Sequence, residues 1–499
     1  MPDHRLVKLL VVPCLFGLLW PVGAAAQGVP AVPIPQDPRD PAAVDDFIGK
    51  PARPKPLTTF GVPRHPFMAV NGDSNIHNDA YQTDAYDRTG PLGEKMSVNS
   101  TFHVAECASV TFDSKGRIVT ICVGLEGPRL VMMDAVTLET LAAHPLPPRS
   151  GSGTGTGIFT DFSGGGYFYL DHQDRAVIPT NNRQIWVVRF NDTSFELERA
   201  YDLSTTVPVG ENLVSVLPDW AGNYWFATTR GMVGTVLRES GEIFTIRLEG
   251  EDIANSFAVD DSGGVFIVSD HAFYRFDADG KGVPRVTWRA EYDRGSRLKP
   301  GQASHGSGTT PTVIGDRYIA ITDNADPRMN VLVYERNGDS AGSLVCKEPV
   351  FAPDESNTDQ SLIAVGNSII TENNYGYGGP TSTMEGATTT PGLTRIDFGP
   401  GGCRTVWESD EIAPSVVPKV SIANGLVYTY TKPPNDEGVD AWYLTAIDFR
   451  TGKTVFKKLA GTGLGYNNNY APVTIGPDGS AYVGVLGGLV RLSDSSTRS

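Results

Sequence analysis

The sequence predicts an all-β fold: an eight-bladed β-propeller of four-stranded antiparallel blades. Three observations predict it. From about residue 101 a unit recurs in which two short apolar strands flank a turn rich in Gly, Asn or Asp. The second strands of these units begin at residues 117, 176, 224, 265, 318, 368, 426 and 481, a start-to-start spacing of 41 to 59 residues. That spread suits a propeller with unequal loops. No long amphipathic helical period interrupts the pattern. Four short strands cannot bury a core alone, whereas units stacked radially around an axis can, leaving only short protected edges. A pair of β-sandwiches is the structural alternative, but sandwiches lack a fixed period near 50 residues.

The elements read in order as follows. Residues 1–26 have the form of a secretory signal: Arg5 and Lys8, an apolar run over 9–20, then Ala24-Ala25-Ala26 before Gln27. An uncleaved anchor is the alternative, and no later stretch reaches the ~20 apolar residues that a membrane span needs. Residues 27–66 form an extended Pro-rich leader, with Pro30, Pro33, Pro35, Pro38 and Pro41 at its start. Residues 67–100 are a polar arm without helical or strand period, either a lid over the propeller face or a surface-attached segment. The propeller occupies 101–499. Its last unit lacks a fourth strand, so a segment within 97–104 is expected to complete the ring.

Four cysteines follow the signal, and an even number in an exported chain favours disulfides. A hairpin centred on 113–116 pairs Phe112 with Arg117, and the same register sets Cys107 opposite Cys122. Cys346 and Cys403 hold matching places in successive units, and either link neighbouring blades or remain two buried thiols. The chain is therefore expected to be secreted or periplasmic. Its formal net charge of -16 argues against a nucleic-acid partner and leaves a small-molecule substrate or ligand.

The run Leu444-Thr445-Ala446-Ile447-Asp448-Phe449-Arg450-Thr451-Gly452-Lys453-Thr454-Val455-Phe456 resembles the blade motif Ala-x-Asp-x-x-Thr-Gly-x-x-x-Trp of the quinoprotein-dehydrogenase-like (PQQ-binding-like) β-propeller superfamily. Phe456 stands at the motif tryptophan or one place beyond it, and 134–139 is a degenerate copy. The resemblance implies eight blades and a packing role for the motif. The dehydrogenases of that superfamily carry an adjacent Cys-Cys pair, which this chain lacks, so pyrroloquinoline quinone is not expected.

Propeller topology gathers two loop sets on one face, the loops entering each inner strand and those joining second to third strands. A site there opens on the central channel. In these loops His305, His103, Glu106 and Glu372 are the candidate acid–base groups. His103, His271 and His305 with Asp323 could instead hold a divalent metal. Asn324, Asn373, Tyr375, Asn469, Tyr470 and, from the arm, His77 are candidate substrate contacts. The small-residue run 304–310 could form an anion-binding nest or be small because the channel is crowded. The expected function is an enzyme acting on a small organic substrate at the channel mouth, by His/carboxylate or metal-assisted chemistry. A non-catalytic ligand- or protein-binding propeller is the alternative. No phosphate-loop or His-Glu-x-x-His signature is present.

Overall fold

The computed structural model describes residues 28–39, 44–149 and 163–495. The signal reading and Pro41 lie outside these. Eight antiparallel sheets of at least four strands form the eight-bladed propeller. Each blade runs from an inner strand to an outer one, as in blade 3 with Leu213–Pro218, Tyr224–Thr228, Met232–Val236 and Ile243–Arg247. Blade 8 contributes Val473–Ile475, Ala481–Val485 and Gly488–Ser493, and Ser97–Phe102 adds its outer strand, with Ser97 opposite Ser493 and Phe102 opposite Gly488. The ring is thus closed by the N-terminal side of the chain, inside the expected window.

Aspartates set the turns between first and second strands. Asp113, Asp171, Asp219 and Asp260 each accept through Oδ1 from the backbone N–H groups two and four residues ahead. This side-chain mimic of a turn needs a short acceptor, which is why Asp recurs there. In blade 1 the turn is one residue longer than the hairpin reading assumed: Phe112 faces Ile118, not Arg117. Residues 108–110 leave the ladder and absorb the extra residue, so Cys107 still faces Cys122. Their Cα atoms are 4.0 Å apart and the pair is bonded. The Cys346–Cys403 disulfide joins the outer strands of blades 5 and 6.

Neighbouring blades are locked by aromatic side chains of outer strands. The Trp407 Nε1–H of blade 6 donates to the Phe449 carbonyl of blade 7 at 2.9 Å, and its ring covers Gly452, where a Cβ would strike it. Trp288 of blade 4 meets Gly342 and the Arg336 carbonyl of blade 5 in the same way. Asp448 accepts from the backbone of Arg450 and Thr451, and Asp134 from Val136 and Thr137. The blade motif is therefore a packing device in both copies.

The leader is not free. Phe47–Gly49 pairs with the outer strand of blade 7, and Leu57 donates from its backbone to Ile422. His65 packs at 4.0 Å on Trp220, and Phe67 meets His172, both at first-to-second turns. The chain then enters the axial channel. The carbonyls of Asp73, Ser74, Ala80, Tyr81, Thr83, Asp84 and Tyr86 accept backbone N–H groups from the inner strands of blades 1, 2, 4, 5, 6 and 7. Ala85–Tyr86 extends blade 7 as a parallel strand. Residues 73–86 are neither a lid nor a surface arm. They are a plug that fills the channel and satisfies the exposed edges of the innermost strands.

Candidate functional site

Above the plug lies a cavity of about 890 Å³. All eight blades contribute to its wall, and Ile76 and His77 of the plug are also part of it. Much of the lining is apolar: Ile121, Val123, Val214, Ile253, Val417 and Leu486. Among these sit a few polar groups, the usual composition of a small-molecule site.

His77 is 2% exposed and is the best-oriented of them. Its Nδ1 lies 3.1 Å from Asp84 Oδ1 and 3.0 Å from Ser361 Oγ. The Ser361 hydroxyl donates to Asp84 Oδ2, and Lys419 Nζ bonds both Asp84 Oδ1 and the Ile76 carbonyl. Burial alone would raise the Asp84 carboxyl, but Lys419 and His77 outweigh it and hold it below the ordinary range. An ionised Asp84 can only accept, and the single Ser361 proton is already given to it. Nδ1 must therefore carry the imidazole proton. Burial lowers the proton affinity of the ring, and Asp84 offsets only part of that. The ring is neutral, so Nε2 holds a lone pair, and it has no hydrogen-bond partner among the described residues.

Two carboxyls line the same cavity. Glu106 comes from the inner strand of blade 1. Burial raises it to about 8, against opposing effects of the Asn469 amide, 3.0 Å from Oε2, and of Arg149. Asp359 comes from the loop entering blade 6. Burial raises it to about 7, and its Oδ2 accepts the Ala303 N–H. Glu106 Oε1 and Asp359 Oδ1 are buried without a partner among the described residues. Gly308 makes room for Asp359, because a Cβ there would overlap both that side chain and the Thr358 carbonyl. Tyr470 lines the wall from a strained corner in which Asn469 and Tyr470 have φ of 39° and 69°. Its hydroxyl donates to the Gly301 carbonyl at 3.2 Å, and its ring packs edge-on to Tyr377.

Of the residues singled out by sequence, the cavity brings together Glu106, His77, Asn469 and Tyr470. Glu372 is fully buried outside the lining, with Asn374 on Oε1, and burial raises it well above the carboxylate range. Asn324 pins the carbonyls of Arg294 and Arg297, and Asn373 those of Glu355 and Pro391, so both are loop anchors. The Tyr375 N–H donates to Asn373 outside the lining. Asp323 accepts from Asn330 and Ala325 inside its own turn. His271 is bound by Asp270 at 2.8 Å and Arg294 at 3.0 Å. His103 has burial lowering it to about 4, with Thr101 Oγ1 3.5 Å away. His305 stands beside the lining residue Ser304 but is not itself part of the wall. No group of three or more His, Cys, Asp or Glu that could hold a metal exists among the described residues, so the expected trio does not converge.

Sequence reasoning named Asp84 only as part of the arm, placed Asp359 and Lys419 in the entering loops without choosing them as site residues, and missed Ser361 and Tyr167. A polar, period-free segment before a propeller was the available signal for Asp84. Ser361 and Lys419 join the site through Asp84 and His77 of the plug, whereas Tyr167 and Asp359 line the cavity from entering loops.

No protein-family model matches the chain. An uncharacterized protein from Archaeoglobus fulgidus is 30% identical over 337 residues, which is 60% of this chain and 64% of that protein. The chain thus spans somewhat under two thirds of the length of that relative. Among solved structures, BamB from Moraxella catarrhalis aligns with a TM-score of 0.41 and 14% identity, covering 64% of this chain and 86% of that one. A streptogramin B lyase structure aligns with a TM-score of 0.41 and 10% identity, covering 80% and 97%. These likenesses carry no argument about what the chain does.

Proposed function

We propose that the plugged channel mouth is the active site of an exported enzyme that moves protons on a small organic substrate. The supporting observation is one cavity whose wall holds His77, with a free lone pair on Nε2, and Glu106, a carboxyl raised to about 8. At neutral pH the first is a base and the second a proton donor, the pairing that an elimination or isomerisation requires. Asp84 is a positioning residue: it fixes the tautomer of His77 and stabilises the imidazolium as it forms. The apolar remainder of the wall excludes water and strengthens both interactions. The two disulfides suit an oxidising compartment, and no helix among the described residues is long and apolar enough to cross a membrane.

The test is turnover. The purified chain is incubated with a library of small organic acids, amines and sugars, and products are read by mass spectrometry. A substrate converted by the wild type and left intact by folded His77→Ala and Glu106→Gln supports the reading. Turnover that survives both substitutions overturns it. Binding without any turnover favours the non-catalytic alternative, for which the largely apolar wall is the specific observation.

A further inference from the structure

The two carboxyls of the cavity have different neighbourhoods. Glu106 faces the Asn469 amide and feels the positive charge of Arg149. Among the described residues no cation lowers Asp359; only the Ala303 N–H opposes its burial. Two lining tyrosines, Tyr167 and Tyr470, both lie close enough to Asp359 to feel its charge. The Tyr167 ring is stacked at 6.3 Å on His77 and its hydroxyl donates to Asn255 at 3.3 Å. The Tyr470 hydroxyl is turned to the Gly301 carbonyl. Both rings are held by these bonds.

The unpartnered polar atoms of this wall are acceptors. Asp359 Oδ1 and Nε2 of the 2%-exposed His77 are two, and Glu106 Oε1 is the third. A buried acceptor without a donor costs free energy that a ligand can return. A carboxylate that shares a cavity wall with two tyrosine rings, and that the wall's Arg149 does not lower, suits an organic cation: the charge pairs with the carboxylate and the rings add cation–π attraction.

We propose that the Asp359 side of the cavity, with Tyr167 and Tyr470, binds the positively charged nitrogen of the ligand, and that the substrate class is a protonated amine. This deepens the function proposed above and rests on it for the word substrate. The binding claim stands on the cavity alone. Seating the cation on Asp359 ionises that carboxyl, so below about pH 7 binding expels a proton. Glu106, raised to about 8 by burial that outweighs Arg149, keeps its proton for donation.

The probes are 2-phenylethylammonium, 2-phenylethanol and 3-phenylpropanoate, which share a ring and chain and differ in charge. Calorimetry on the full-length protein at pH 6.5, in buffers of different ionisation enthalpy, reads affinity and proton release together. The ammonium probe is expected to bind at least about ten-fold tighter than the alcohol, to release a proton, and to lose its advantage in Asp359→Asn. Tyr470→Leu is expected to reduce that advantage about three-fold. Circular dichroism confirms that each variant is folded. The proposal is overturned if the alcohol or the carboxylate binds as tightly as the ammonium, if the preference survives in Asp359→Asn, or if the folded wild type binds no ammonium probe at millimolar concentration. Turnover is not read here, so failure of the acid–base reading and failure of cation binding are separate outcomes.

Discussion

The plug and the cavity wall beside it are both polar and both buried, yet they differ in how their polar atoms are partnered. Between Asp73 and Tyr86 half of the backbone carbonyls are taken by inner strands, and most side-chain amides and hydroxyls close on their own segment: Ser74 on Asn78, Asn75 and Gln82 on the Asp79 carbonyl, Asn78 Nδ2 on Ala85. On the wall, Glu106 Oε1, Asp359 Oδ1 and His77 Nε2 have no partner among the described residues. Satisfied burial builds structure; unsatisfied burial in a cavity marks a place kept for something else. His77 belongs to both regions, structural at Nδ1 and available at Nε2.

The largest effect should come from breaking the plug. Lys419→Met leaves the buried Asp84 carboxylate without its cation, with only the His77 and Ser361 hydrogen bonds, and should destabilise the fold by about 3–5 kcal/mol. Adding Asp84→Asn removes the stranded charge and should restore much of that loss in chemical denaturation. If Lys419→Met alone is neutral, the plug is not the structural half of the comparison. Gly308→Ala tests the wall. Its new Cβ meets the Thr358 carbonyl and Asp359, so a loss of about 1–3 kcal/mol and weaker ligand binding are expected.

A subtler effect is the pH dependence. Glu106, Asp359 and Asp79 keep protons in the folded chain up to about 8, 7 and 7, whereas the unfolded chain gives them up near the ordinary carboxylate values. The folded state then binds more protons than the unfolded one, so stability falls as pH rises from about 4 through those values. His65 and His103 act in the opposite direction, since burial lowers them to about 3 and about 4, but their contribution is complete above about 6.5. Between pH 6.5 and 8 the histidines no longer contribute and the carboxyls pull stability down. The thermal midpoint should fall across that interval, and Glu106→Gln with Asp359→Asn should flatten the slope. The smallest expected effect is that of Tyr470→Phe, which removes the bond to Gly301 and should cost about 1 kcal/mol in thermal or chemical unfolding.

Much of the ring was legible from sequence because the blades repeat. Turn aspartates and alternating apolar residues report local structure directly, and the missing last strand pointed to Ser97–Phe102. The register of blade 1 was read one residue off at its turn, since a bulge carries no residue signature of its own. The site was half legible. Loop position found Glu106, Asn469 and Tyr470, because any residue entering an inner strand near the axis faces the channel. It also selected Asn324 and Asn373, whose amides pin neighbouring loop carbonyls, and Asp323, whose side chain turns back to hold its own turn. The plug was not legible: a polar segment without period reads as exposed, and the inner edges of six blades that it pairs with explain why it is buried.

The central claim is that the wall above the plug holds carboxyls ready to exchange protons near neutrality. Infrared difference titration of the full-length protein, with Glu106→Gln and Asp359→Asn used to assign bands, measures this directly. Protonated-carboxyl bands that disappear in two steps near pH 7 and pH 8, one lost in each variant, are the predicted result. Ordinary titration of both groups near pH 4 would contradict the account.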